Sequence, residues 1–319
     1  MKAITMEDPE YLGYRHPEYA LSLAEYGRPH ALDNAGGWVL ERQIPNTRHR
    51  DSMGLYPLFH CRDWQALPQD IQHLRDAGTV SLVLVTDPML GEDERKLFRQ
   101  FDVAEPFKTH YLSSLHQPPA QTVSRHHRYH ARKAAKELEV DVPEAPLAYL
   151  DEWCAIYEAL VRRHGVKDLR AFSRDGFRRL LSMPGVILFR AIRHGRCVGA
   201  QIILIQGDVA FAHLAAFNDE GYRHGASYLL DWAAMEHLRG RVGRLNWGGG
   251  SGLECADESG LARYKQGWAT ERRTSYLLGV VLDRGAYERL AMDTGNATST
   301  YFPRYRAGEF ADAIQDLKG

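Results

Sequence analysis

Apolar positions along this chain follow two rhythms. Continuous runs of strand length occur at VSLVLV (80–85), VILFRAI (186–192), CVGAQIILI (197–205), VAFAHLAAF (209–217) and SYLLGVVLD (275–283). Elsewhere apolar residues recur every three or four positions. That spacing predicts helices over 17–25, 64–76, 92–100, 147–164, 173–183 and 222–239. Shorter strands are expected at 38–43, 56–61, 107–112, 138–142 and at RLNW (244–247). HGR and QGD join the three middle runs so tightly that an antiparallel meander is expected. Helices interleaved with mostly antiparallel strands give an α/β (α+β) class. The turn VPEAP (142–146) predicts a boundary, with one domain over 1–145, a second over 146–306, and a helix in 307–319 folding back on the first.

Composition narrows the picture. At 319 residues, 44% hydrophobic, the chain is long enough for two domains with real cores. A net charge of −1 excludes coating of nucleic acid by bulk charge, so any such contact must be local. No run approaches the roughly 18 apolar residues of a membrane span, and membrane insertion is not expected. The opening stretch MKAITMEDPEYLGYRHPEY is acidic and has no apolar centre, so a signal peptide is not expected either. Cys61, Cys154, Cys197 and Cys255 lie far apart with no CxxC pair, which points to a reducing cytoplasm rather than a disulfide framework.

The segment SRHHRYHARKAAK (124–136) breaks the even charge distribution, with eight basic residues or histidines in thirteen positions and no acid. On a helix over 123–138, Val123, His127, Ala131, Ala134 and Leu138 fall on one side, while Arg125, Arg128, Arg132 and Lys136 form the opposite stripe. Like charges on one stripe repel unless an anion neutralises them. Guanidinium forks suit phosphate oxygens, so either a solvated face or a phosphate-rich ligand fits. His126 and His130 have the spacing of paired metal ligands, but the helix offers no carboxylate or thiol and its cations oppose a divalent ion; no metal is expected.

The later residues form an ordered set: meander, long helix, strand, GGGSG (248–252), GLARYKQGW (260–268), TSYLLGVVLD (274–283) and YFPRYR (301–306). This set, from about residue 80 to 306, resembles the Fem-type aminoacyltransferases and their neighbours in the GNAT acyltransferase superfamily. Gly260, Leu261, Tyr264, Lys265, Gly267 and Trp268 match the family's Gly-Leu and aromatic-Lys-x-Gly-aromatic run. Lys133-Ala134 matches the end of its basic helix. The resemblance implies two tandem GNAT-like domains flanking a groove. It also implies acyl transfer to an amine acceptor, which can itself be phosphorylated, from aminoacyl-tRNA or acyl-CoA as co-substrate and with no bound cofactor. No coiled-coil heptad insertion is present, so the resemblance is to armless members.

Aminolysis of an ester needs a neutral amine, a route for its proton, and donors for the oxyanion. Backbone N–H groups of His213–Ala216 are the expected donors, on the splayed strand the resemblance implies. Lys265 takes the role of phosphate or oxyanion stabiliser from its family position. His213, placed by alternation with Phe211 and Ala215, is either a base or a buried strand histidine. Arg125, Arg128, Arg132, Lys136, Asn246, Gly249 and Tyr264 are the expected substrate-binding residues. The donor site falls at Tyr222, Gly225 and Ser227, where only the glycine and one small residue keep the pattern of a coenzyme A pyrophosphate loop. That departure favours a tRNA-borne donor. Acetylation of a small amine from acyl-CoA, and a non-enzymatic RNA- or phosphate-binding module, remain the alternatives.

Overall fold

The computed structural model describes residues 12–164, 172–250 and 259–309. They divide into two compact units. One holds residues 14–108 and 274–309, the other residues 12–13, 109–164, 172–250 and 259–273. The turn at 142–146 therefore lies inside the second unit, as does the basic helix. The helix expected in 307–319 falls mostly outside the described residues.

In the first unit β1 (Arg28–Leu32), β2 (Gly37–Gln43) and β3 (Arg50–Gly54) pair antiparallel in that order, and β4 (Thr79–Val85) joins β3 in parallel. Leu277–Val281 pair antiparallel on the other side of β4. The continuous run in β4 follows from burial on both faces. Leu82 and Leu84 pack with Leu67 and Leu74 of the helix Leu67–Asp76, whereas Val80 packs with Tyr287 and Leu290 of the helix Arg284–Asp293. The strand expected at 56–61 is absent: only a single bridge, Phe59 to Thr86, forms there, and Pro57 has no N–H to give a ladder. The real strand is β3, whose RDSMG sequence hides it. Its Asp51 is 3% exposed and is gripped by one edge of the Arg306 guanidinium, Nε and Nη2 donating at 2.6 and 2.9 Å. Tyr305 donates to the same carboxylate at 3.0 Å and lies 2.7 Å from Ser81 Oγ.

The second unit contains the C-terminal end of β5 (Val103–Ser114), then β6 (Glu139–Asp141), β7 (Val186–Arg193), β8 (Arg196–Gln206), β9 (Val209–Phe217) and β10 (Arg244–Asn246). Their spatial order is β5-β10-β9-β8-β7-β6. β7–β8–β9 is the expected meander, and every pairing is antiparallel except β9 with β10. The helix Ala226–Leu238 buries Leu229, Leu230, Ala234, Met235 and Leu238 in one cluster with Ile203, Ile205 and Ala210.

Two details of this unit position the site. First, the single helix expected over 222–239 is two helices, Asp219–His224 and Ala226–Leu238. They meet at Gly225, whose φ of +71° ends one and starts the other, a conformation that favours glycine. Second, parallel pairing of β9 with β10 stops at Phe211 and Asn246, although β9 runs on to Phe217. Beyond Phe211 the β10-facing edge of β9 has no strand partner among the described residues. On the β8 side, Ile202 pairs with Leu214 but Ile203 with Ala212, so His213 is the extra residue of a β-bulge.

Candidate active site

The basic helix spans Arg125–Ala134, shorter than expected, because Val123 is extended and Ser124 caps the helix by accepting from the His127 N–H at 3.3 Å. Its inner face is the expected one: Val123, His127, Ala131, Ala134 and Leu138 are all buried. Arg125, Arg132 and Lys136 are exposed, and none has an ion-pair partner among the described residues. Arg128 departs from the stripe, for it is half-buried and donates to the Ala120 carbonyl. It braces the preceding turn.

GLARYKQGW forms the short helix Gly260–Gln266, capped by Ser259. His127 joins it to the basic helix. Its Nε2 lies 2.8 Å from the Tyr264 carbonyl and its Nδ1 lies 2.9 Å from Ser124 Oγ. Nε2 therefore carries the proton, since a carbonyl only accepts. Burial lowers the pKa of this imidazole, which suits a neutral ring. A Cβ on Gly267 would meet His127 Cε1 at 2.0 Å, and Trp268, fully buried, stands edge-on to the same ring at 4.8 Å. Gly267→Ala is thus expected to unseat the basic helix and lower the melting temperature by several degrees, roughly 1–3 kcal/mol of overpacking, checked by thermal unfolding.

Two polar clusters surround this joint. Lys265 Nζ donates to the Gly249 carbonyl at 2.6 Å. Nearby Asn246 Oδ1 accepts from Gly248 N–H at 2.8 Å and lies 3.2 Å from His110 Nδ1, leaving Asn246 Nδ2 buried with no partner among the described residues. In the second cluster, the Tyr264 hydroxyl donates to Asp231 Oδ2 at 2.6 Å, while Gln201 Nε2 donates to Oδ1 at 2.9 Å. Burial pushes the Asp231 carboxyl up to about 7, against the opposing pull of Tyr264, Gln201 and the Lys265 charge.

Residues 121–266 match the family model described as an acetyltransferase (GNAT) domain. The parallel pair that parts beside a long helix belongs to the same fold. Residues 121–266 thus carry the GNAT fold. A search of curated proteins finds no match to the sequence. Among solved structures, FemX superposes with a TM-score of 0.66 at 12% identity, covering 90% of this chain and 98% of that one. The C-terminal domain of a lysylphosphatidylglycerol synthetase from Agrobacterium fabrum gives 0.61 at 16% identity, covering 88% and 92%. L-PGS from Bacillus licheniformis gives 0.56 at 13%, covering 86% and 94%. These likenesses establish the fold.

Asn246 stands at the last paired position of β10, Lys265 reaches the Gly249 carbonyl just beyond it, and Tyr264 reaches Asp231. His213 does not join them. The bulge shifts the alternation, so Ala215 lies with Ala212 in the long-helix cluster while His213 turns against Phe172 at 5.6 Å. Burial drops its pKa to about 3, too low for an efficient base near neutrality. Tyr222, 41% exposed, stacks under the Arg163 guanidinium at 4.5 Å. The Tyr222 and Gly225 N–H groups are spent on helical carbonyls, and Ser227 lies in the first turn of the long helix. His126 and His130 have rings 4.3 Å apart, and His130 stacks on Tyr228; among the described residues no carboxylate or thiol completes a metal site there. Ser251 and Gly252 of the glycine run lie outside the described residues, as does Cys255.

Sequence reasoning passed over Asp231 and Gln201. The signal for Asp231 was present: an acid in the middle of LLDWAA, between the apolar positions of the long helix. A buried acid at such a position requires partners.

Asp231 also gives a stability prediction. Its folded pKa is raised, so its stabilising contribution is complete below about pH 4 and is lost as pH rises to about 7. Asp231→Asn is therefore expected to melt higher than wild type at about pH 8, with the gain shrinking towards about pH 4, read by thermal unfolding across that range.

Proposed function

We propose that this protein is an N-acyltransferase that moves an aminoacyl group from aminoacyl-tRNA to an amine-bearing acceptor, with the tRNA as co-substrate and no bound cofactor. The observation that carries this reading is the joint at His127. It fixes a ridge of cations, three of them without an acidic partner, directly on the motif that holds Lys265. Phosphodiester suits such a ridge, because each neutralised phosphate releases condensed counterions. The departure of the 222–227 run from the coenzyme A pattern also favours another donor. A tRNA donor places the reaction in the cytoplasm. No described helix is long and apolar enough to cross a membrane.

The test is transfer from labelled aminoacyl-tRNA, and in parallel from labelled acetyl-CoA, to a panel of amines. Product from aminoacyl-tRNA is expected. Product from acetyl-CoA alone would favour the reading suggested by the family model's description. Turnover of neither, with salt-sensitive RNA binding retained, would make the protein a binding module. A second expectation concerns the ridge. Arg125→Ala combined with Arg132→Ala should weaken tRNA binding and flatten the plot of log affinity against log salt by about two contacts' worth of slope. Unchanged binding would mark a merely solvated face.

A further inference from the structure

We propose that Tyr129 is a stacking platform for an unpaired nucleotide at the 3′ end of an RNA, a role that rests on the aminoacyl-tRNA reading above. Tyr129 lies on the outer face of the basic helix and is 62% exposed, the most open aromatic side chain among the described residues. Arg125 stands one turn before it, and Arg132 and Lys133 one turn after, the spacings that share a helix face. All three cations are exposed, and none has an acidic partner among the described residues. The next most open aromatic, Tyr222, is already covered by the Arg163 guanidinium at 4.5 Å. Tyr129 thus offers a bare ring in the middle of unneutralised positive charge.

The ring is braced rather than loose. His130 meets it edge-on at 5.3 Å, and His130 in turn stacks on Tyr228 at 4.8 Å. Tyr228 packs against Tyr264, the residue before Lys265, at 5.1 Å. A row of rings therefore leads from the platform to the lysine motif. A rigid aromatic side chain is ordered at low entropic cost when a ligand covers it. Cations by themselves grip any phosphate backbone and recognise no base. A ring adds a demand, because the base it stacks on must have a free face. In a duplex those faces are covered by neighbouring pairs, so an unpaired nucleotide is the partner that fits. Cations set around an exposed ring are the arrangement that holds single strands. The aminoacyl ester is carried on just such an unpaired 3′ end. A lipid surface fits less well. The residues one turn from Tyr129 are Arg125, His126, Arg132 and Lys133, which give no apolar patch to enter a bilayer.

The test measures binding of the full chain, at fixed salt, to two labelled RNA hairpins, one with a short unpaired 3′ end and one blunt. Wild type should bind the first about tenfold more tightly, the scale of one base stacked on an aromatic ring. Tyr129→Ala should erase that preference, yet bind the blunt hairpin as wild type does and with the same salt slope. Tyr129→Phe should keep the preference, and Tyr129→Leu, apolar but without a ring face, should lose it. Replacing so exposed a residue should leave the melting temperature unchanged, which separates the effect from unfolding. Equal binding of the two hairpins by wild type, or a preference that survives Tyr129→Ala, overturns the platform. So does binding to phosphatidylglycerol vesicles in place of RNA, which would assign this face to a membrane. Acyl transfer from aminoacyl-tRNA without any preference for the unpaired end overturns the platform and leaves the functional reading standing. A preference that Tyr129→Ala removes, in a protein inert with aminoacyl-tRNA, keeps the platform and overturns the functional reading.

Discussion

Lys265→Ala is expected to lower acyl transfer by about a hundredfold, the typical loss when one preorganised electrostatic group at a reacting centre is removed. The side chain is partly buried and anchored by its hydrogen bond to the Gly249 carbonyl. An ammonium offers three donors on a flexible stem, and a fixed bond to backbone aims the charge rather than leaving it to wander. Its neighbours are Gly248 and Gly249, just past the end of β10. In the proposed reaction, charge developing on a carbonyl oxygen or held on a donor phosphate there would be met by a cation that needs no reorganisation. Alanine removes the cation but leaves the Ser259 cap, the His127 joint and the Trp268 packing intact, so circular dichroism and melting should change little. Lys265→Arg should restore part of the rate, since it keeps the charge but cannot repeat the short bond to Gly249. Steady-state turnover with saturating donor decides the matter: an alanine variant as fast as wild type would remove Lys265 from the chemistry.

The second large effect is on stability. Asp51→Ala is expected to cost about 3–5 kcal/mol, the penalty of stranding one member of a buried ion pair. Arg306, 6% exposed, makes two bonds to that carboxylate, and Tyr305 a third. Without Asp51 the guanidinium keeps its bond to the Gln43 carbonyl and its pair with Glu309 at 3.0 Å, which do not replace a bidentate contact. Asp51→Asn keeps the shape and one acceptor, so it should lose less. Chemical denaturation, with the midpoint followed at constant m, measures both. Equal stability of the alanine variant and wild type would show that Arg306 finds water instead.

Much of this arrangement is legible in the sequence. The apolar runs of β4, β7, β8 and β9 announce themselves because both faces of those strands are covered, and burial on both faces leaves nothing polar to interrupt them. The inner face of the basic helix is equally readable, since a helix docked by Val123, Ala131 and Ala134 must repeat them at helical spacing. β1 and β3 are not readable. RPHAL and RDSMG are strands by virtue of neighbours, and Asp51 looks like a surface residue until Arg306, far along the chain, is brought to it.

The same division runs through the site. The sequence by itself determined the motif around Lys265, the concentration of cations at 124–136 and the damaged coenzyme A pattern at 222–227, because each is a local choice of residue type. Only the tertiary structure decided that His127 ties the cations to the lysine motif, that a bulge turns His213 away from the chemistry, and that Tyr264 reaches Asp231. Those facts depend on register and on contacts between residues 33 to 137 positions apart. A one-residue shift in a strand reverses which face a side chain takes, and no local pattern records where a distant segment will pack.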